Sequence, residues 1–210
     1  MSYRIGSRDY LSRAEQCLRK RDRRHLFYAA FELRCGIERR MQEYLQPHPH
    51  VSEKSKNEWK VARLGKGIEK AFASGEKVVE VAVAKKDKAD DVSSYYYSPV
   101  SKSLQKKCQR LGGLLHGARE LKQDDDAWWT ETRQFLLETC DELREATRGT
   151  LLGPPLRNER TGEVFLVVEV EGGSRSQTTL ELLGATGSKL HMTVRLHDKF
   201  PEEDHSQHAS

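Results

Sequence analysis

The chain of 210 residues has room for one ordinary domain or two small ones. Hydrophobic residues make up 36% and charged residues 32%, enough apolar material for a core beneath a densely charged surface. No stretch approaches the ~20 consecutive apolar residues that span a bilayer, which excludes a transmembrane helix. The opening Met1-Ser2-Tyr3-Arg4-Ile5 lacks the apolar run of a secretory signal, and Cys17, Cys35, Cys108 and Cys140 stand too far apart for a C-x-x-C pair. Together these features predict a reduced, soluble, cytoplasmic protein with no membrane partner.

The net charge of +4 is unevenly placed. Residues 1–72 carry 17 Lys/Arg against 9 Asp/Glu, whereas residues 149–210 carry 6 against 9. The basic excess is densest at Arg19-Lys20-Arg21-Asp22-Arg23-Arg24-His25, where Arg19, Arg21, Arg23 and Arg24 are candidates for holding a polyanion backbone. A solvated helix end rich in arginine is the plainer alternative.

In chain order, Tyr10, Leu11, Ala14, Cys17 and Leu18 share one face of a helix over residues 8–22. Asp22 is placed to cap a second helix over 24–45. Its stripe is Leu26, Ala30, Leu33, Ile37, Met41 and Tyr44, widened by Phe27 and Phe31. Pro47 and Pro49 end it, and the two helices should pack as an antiparallel hairpin. A third helix is expected from about Glu53 to Ala73. Residues 77–84 then switch to β-branched alternation, with Ser93–Ser98 as partner strand and Lys85–Asp91 as connection. Leu104, Cys108, Leu111, Leu115 and Ala118 return to helical spacing over 101–122. Asp124-Asp125-Asp126 should cap a last helix over 127–148, buried through Trp128, Thr132, Leu136, Thr139 and Leu143.

Residues 149–162, with Gly153-Pro154-Pro155, read as a linker. Beyond it the period becomes two. Glu163–Glu171, Thr178–Leu183 and Leu190–His197 are strand candidates within a C-terminal antiparallel β element spanning 163–198, followed by a polar, disordered tail over 199–210. In Leu190–His197, Leu190, Met192, Val194 and Leu196 should be buried, and His191, Thr193, Arg195 and His197 wet. The fold class expected is α+β: a helical bundle over 1–148 with a small hairpin inserted at about 77–98, then the β element.

Several familiar sites are absent: there is no P-loop, no dinucleotide fingerprint, no H-E-x-x-H and no G-x-S-x-G. His48 and His50 form an H-x-H, but no matching ligand cluster accompanies them, so an exposed loop pair is expected and neither metal nor cofactor is assigned. His191, Arg195 and His197 on a wet strand face read as an ordinary solvated surface. Tyr95-Tyr96-Tyr97 should divide between a packed and a wet face, and Trp128-Trp129 should anchor the last helix in the core.

The remaining candidate is Arg110-Leu111-Gly112-Gly113-Leu114-Leu115-His116, an arginine six residues before a histidine on the penultimate helix of the bundle. In this motif, and in the opening pair Arg8-Asp9-Tyr10-Leu11-x-x-Ala14-Glu15-x-x-Leu18 and Tyr28-Ala29-Ala30-Phe31-Glu32-Leu33-Arg34, the chain resembles the HEPN superfamily over residues 8 to about 148. That resemblance implies a helical bundle, usually paired as a homodimer, and a metal-independent endoribonuclease or RNA-binding protein of the toxin or antiviral-defence kind. It implies His116 as general acid/base and Arg110 as the group stabilising phosphorane charge. Six residues leave the two side chains about 120° apart on an ideal helix. Convergence then requires a loosened helix at Gly112-Gly113 or a second copy across a two-fold axis. Leu111 stands where active members carry a polar residue. This leaves open a non-catalytic interaction module with a protein partner at the C-terminal β element, or a nucleic-acid-associated accessory subunit using the basic patch alone.

Overall fold

The computed structural model describes residues 5–85, 88–116, 122–124, 126–157, 160–161, 164–167 and 190–201. Among the described residues, six helices and two small sheets make an α+β fold. In order they are α1 (Ser7–Arg19), α2 (Arg23–Leu45), α3 (Glu53–Lys56), α4 (Val61–Phe72), β1 (Val78–Lys85), β2 (Lys88–Tyr97), α5 (Lys102–Leu115), α6 (Trp128–Arg148), β3 (Leu156–Arg157), β4 (Val164–Phe165) and β5 (Leu190–His197).

Helix α2 is the axis of the molecule. Leu26, Ala30, Leu33, Ile37, Met41 and Tyr44 are all buried, against Leu11, Ala14 and Leu18 of α1, Leu104, Cys108 and Leu111 of α5, and Leu136, Cys140 and Leu143 of α6. Asp22 caps α2 by accepting the His25 backbone N–H at 3.1 Å. Asp126 takes the Trp128 N–H at 2.8 Å at the start of α6. The far end of α6 is held by two guanidinium groups. Arg8 donates to the Thr147 carbonyl through Nε (3.1 Å) and Nη2 (3.0 Å), and the wholly buried Arg40 donates to the carbonyls of Ala146 (3.1 Å) and Gly149 (2.7 Å). Cations at a helix C-terminus satisfy its orphan carbonyls and oppose its dipole.

The helix expected over Glu53–Ala73 is instead two helices. The Glu58 carboxylate accepts the N–H groups of Trp59 (3.1 Å) and Lys60 (3.0 Å), which breaks the first segment and starts α4 afresh. These bonds, that to Lys60 foremost, hold the Glu58 carboxyl below its ordinary range.

The inserted hairpin is present, with β2 reaching back to Lys88 through much of the expected connection. Val79, Val81, Val83 and Tyr97 turn inward to the bundle, with Tyr95 partly buried beside them, while Tyr96 lies on the opposite face with Glu80 and Ser94. The third strand of this sheet is β5, antiparallel to β1 in the order β2-β1-β5. The carboxylate of Glu80, buried on the face turned away from the bundle, ties all three strands. It accepts from Ser94 Oγ (2.8 Å) on β2 and pairs with His197 Nε2 (2.8 Å) and Arg195 Nη1 (3.4 Å) on β5.

Two expectations for the C-terminal third need correction. Residues 149–155 are not a free linker but a strap across the bundle: Leu151 is buried, its N–H bonds the Tyr96 carbonyl at 2.9 Å, and Leu152 N–H bonds the Val167 carbonyl at 2.9 Å. Two leucines in succession favour burial, and β2 supplies a carbonyl for the backbone that enters with them. The apolar side of β5 is not buried either. Met192, Val194 and Leu196 are exposed, Leu196 at 64%, because β5 lies outermost of the three strands, beyond the helices that cover β1. In the expected tail, Phe200 stacks on Tyr96 with ring centroids 4.7 Å apart and lies under the Arg148 guanidinium at 4.0 Å. The strand candidates at 168–171 and 178–183, and residues 202–210, fall outside the described residues. Among the described residues, no helix is long and apolar enough to cross a membrane.

Candidate nucleic-acid interface

Arg110 and His116 occupy the last two turns of α5 and the residue beyond. The helix continues unbroken through Gly112 and Gly113 to Leu115, and His116 follows in an extended conformation (φ −85°, ψ 150°). Gly112 is buried against α2, where a Cβ would require the Arg34 guanidinium to swing aside. Arg110 is turned to α6, its guanidinium 4.0 Å from the centroid of the Phe135 ring. His116 is exposed and makes no hydrogen bond or ion pair with another described residue. Six residues of helix separate their Cα atoms by about 9 Å along the axis. No hydrogen bond or ion pair joins the two side chains within one chain.

The four arginines of the basic run surround the junction of α1 and α2 and have different fates. Arg23 is committed: it pairs with Asp124 and lies 4.7 Å over the Trp129 ring. Arg19, Arg21 and Arg24 are exposed, with no bond to another described residue. His25 Nδ1 lies 2.5 Å from the Asp22 carboxylate, a hydrogen bond that leads in holding Asp22 below its ordinary pKa. The positive charge at this end of the molecule is therefore only partly neutralised.

Beside it lies a cluster of exposed aromatic rings, two of which, Phe27 and Phe31, are expected from spacing to widen the buried stripe. Phe27, Tyr28 and Phe31 are 36%, 56% and 52% exposed. The signal was available in the spacing: Leu26, Ala30, Leu33 and Ile37 already fill the buried stripe. Phe27 and Phe31 each follow a stripe residue by about 100°, which turns them outward. Arg24 precedes Phe27 by three residues and Tyr28 by four, so it shares their face. Phe27 meets Trp128 and Trp129 at centroid distances of 6.5 and 6.2 Å, and Tyr28 meets His25 edge-on at 5.5 Å. Both tryptophans are half-buried, not deep in the core.

His48 departs from the exposed loop pair expected of it. It is buried, its Nε2 3.3 Å from the Leu152 carbonyl and its ring between Phe72 (4.9 Å) and Phe165 (5.6 Å). Among the described residues no group of three His, Cys, Asp or Glu could hold a metal ion. The buried thiols of Cys108 and Cys140 are pushed up to about 12 and about 11 by desolvation, which makes them poor nucleophiles at neutral pH.

No protein-family model matches the chain, and no match was found among curated proteins or solved structures.

Proposed function

We propose that this is an RNA-binding protein of HEPN-like kind that reads unpaired bases with the outward face of α2, and that two copies together form a metal-independent endoribonuclease at Arg110 and His116. The observation that carries the reading is the alignment of Arg24, Phe27, Tyr28 and Phe31 on one solvent-facing side of α2, next to the unpaired Arg19 and Arg21. Rings left in water beside uncompensated guanidinium groups suit a flexible strand: bases stack on the rings at about 1–3 kcal/mol each, and phosphates displace counterions from the arginines.

Cleavage needs the second copy, since Arg110 is held on Phe135 and His116 lies past the end of α5. In that assembly the neutral imidazole of one His116 removes the ribose 2′-OH proton, the 2′ oxygen attacks phosphorus, and the 5′ oxygen leaves with a proton from the partner's His116. The products are a 2′,3′-cyclic phosphate and a 5′-hydroxyl, with Arg110 opposing the charge on the phosphorane.

Anisotropy with a labelled single-stranded RNA tests the binding reading. Affinity should fall steeply with salt, and the Arg24→Ala/Phe31→Ala variant should lose about tenfold or more. A wild type that ignores RNA at about 50 mM salt, or a double variant that binds as well as wild type, overturns it. For cleavage, incubation with RNA in EDTA should yield cyclic-phosphate ends that disappear in His116→Ala. Intact RNA in both samples removes the nuclease part. The exposed Met192, Val194 and Leu196 of β5 favour a second reading, an interaction module that docks a protein partner there. Co-purification of one partner that Val194→Asp releases, with no RNA affinity, would establish it instead.

A further inference from the structure

Between α1 and α6 lies an open cleft of about 580 Å³, within the size range of small-molecule sites. Glu15, Leu18 and Arg19 line it from α1, spaced i, i+3, i+4. Arg133, Leu137, Cys140, Asp141 and Arg144 line it from α6 as one continuous helical stripe. The two ends of the cleft differ in charge. At one end stand two guanidinium groups that no carboxylate answers among the described residues. Arg19 makes no bond to another described residue. Arg133 donates Nη1–H to the Lys20 carbonyl (3.3 Å) and Nη2–H to the Leu18 carbonyl. A guanidinium has five N–H donors, so Arg133 keeps its Nε–H and one hydrogen on each Nη. Because it covers the last carbonyls of α1, the negative end of that helix does not face an incoming anion.

The other end is acidic. Arg144 bonds Glu15 at 2.8 Å and Asp141 at 2.5 Å, and these two carboxylates share its one charge, which leaves this end with a net negative charge. Their remaining lone pairs are acceptors for hydroxyl or amino donors, and they repel a second phosphate. Between the ends the surface is apolar: Leu18 and Cys140 form the floor, and Leu137 stands 39% exposed above it. From Arg133 to Asp141 the helix advances about 12 Å, comparable to an extended nucleoside monophosphate.

We infer that the α1–α6 cleft binds a nucleoside monophosphate, with the phosphate on Arg19 and Arg133, the ring system over Leu137, and sugar or base donors on Glu15 and Asp141. Arg19 is shared with the basic patch beside α2, while the other lining residues lie outside the α2 aromatic face, so the inference stands whether or not that face binds RNA. Its ligand is either a free nucleotide or the phosphorylated end of an RNA strand.

Calorimetric titration with AMP, GMP, CMP and UMP tests it. At least one should bind, the matching nucleoside should bind at least tenfold more weakly, and Arg19→Ala should weaken the monophosphate tenfold or more. Arg19 is exposed and its side chain has no partner to lose among the described residues, so this variant should fold as wild type, which circular dichroism checks. Leu137→Glu should also weaken binding, while Arg24→Ala/Phe31→Ala should leave it unchanged. Displacement of the nucleotide by a 5′-phosphorylated RNA but not by its 5′-hydroxyl form identifies a strand end as the ligand, and failure of both to displace it identifies the free nucleotide. Absence of binding by all four up to about 1 mM, equal binding of inorganic phosphate, or an Arg19→Ala variant indistinguishable from wild type overturns the inference.

Discussion

The strap that follows α6 passes so close to β2 that one methyl group should decide whether the two fit. The backbone of Gly149 has ordinary dihedrals (φ −69°, ψ 140°), so alanine there costs nothing conformationally. The obstacle is steric: a Cβ at 149 would lie 2.8 Å from the Ser98 nitrogen and nearer still to the Tyr96 carbonyl oxygen. Both are backbone atoms of a paired region and cannot rotate aside. Moving the strap outward stretches the Leu151 N–H bond to Tyr96 and the Arg40 bond to the Gly149 carbonyl. Overpacking costs about 1–3 kcal/mol, and two weakened hydrogen bonds add about 1 kcal/mol each. Gly149→Ala should therefore lose about 3–5 kcal/mol in urea denaturation followed by circular dichroism. Gly113→Ala is the control. At exposed Gly113 of α5 an added Cβ meets nothing within 4 Å beyond its own stretch of helix, so alanine should raise stability by about 0.5–1 kcal/mol. A Gly149→Ala protein within about 1 kcal/mol of wild type at unchanged m-value would refute the close approach of strap and strand.

Arg40→Met removes a wholly buried guanidinium that serves the Ala146 and Gly149 carbonyls and pairs with Glu43 at 3.2 Å. It should cost about 3–5 kcal/mol, measured by the same denaturation, whereas Arg24→Ala should stay within about 0.5 kcal/mol. Burial holds His48 below the ordinary histidine pKa. The unfolded chain thus takes up a proton there at higher pH than the folded one. The contribution of neutral His48 is complete above about pH 6.5 and declines as the pH falls through that value towards its folded pKa. His48→Gln should flatten the dependence of the urea midpoint between about pH 7.5 and 5.5. An unchanged slope would show that His48 does not titrate differently in the two states.

Where local chemistry decided the structure, the sequence was readable. The Asp22 cap, the α2 stripe from Leu26 to Tyr44 and the hairpin over 78–97 follow from spacing and capping alone, and they fix the α+β class. Tertiary choices were not readable. Glu58 splits a helix by taking two backbone N–H groups that its periodicity could not reveal. Leu151 anchors a segment whose glycine and prolines signalled a linker, and β5 leaves its own neighbourhood to pair with β1. The candidate interface was half visible: composition exposed the arginines, but Phe27 and Phe31 passed for core because helices carry such residues inward more often than outward. Neither composition nor motif spacing pointed to the α1–α6 cleft, because its two walls come from helices more than 100 residues apart in the chain.

The pairing of β5 with β1 also orders events during synthesis. Glu80 and Arg195 lie 115 positions apart. At about 5–20 residues per second, the ribosome delivers the second partner on the order of ten seconds after the first. Throughout that interval β1 has neighbours on one side alone, with the backbone groups of Val78–Lys85 open to any passing extended chain. A nascent molecule stalled before Leu190 would thus offer a sticky seam that the finished one has closed, making this strand the point at which truncated products should first associate.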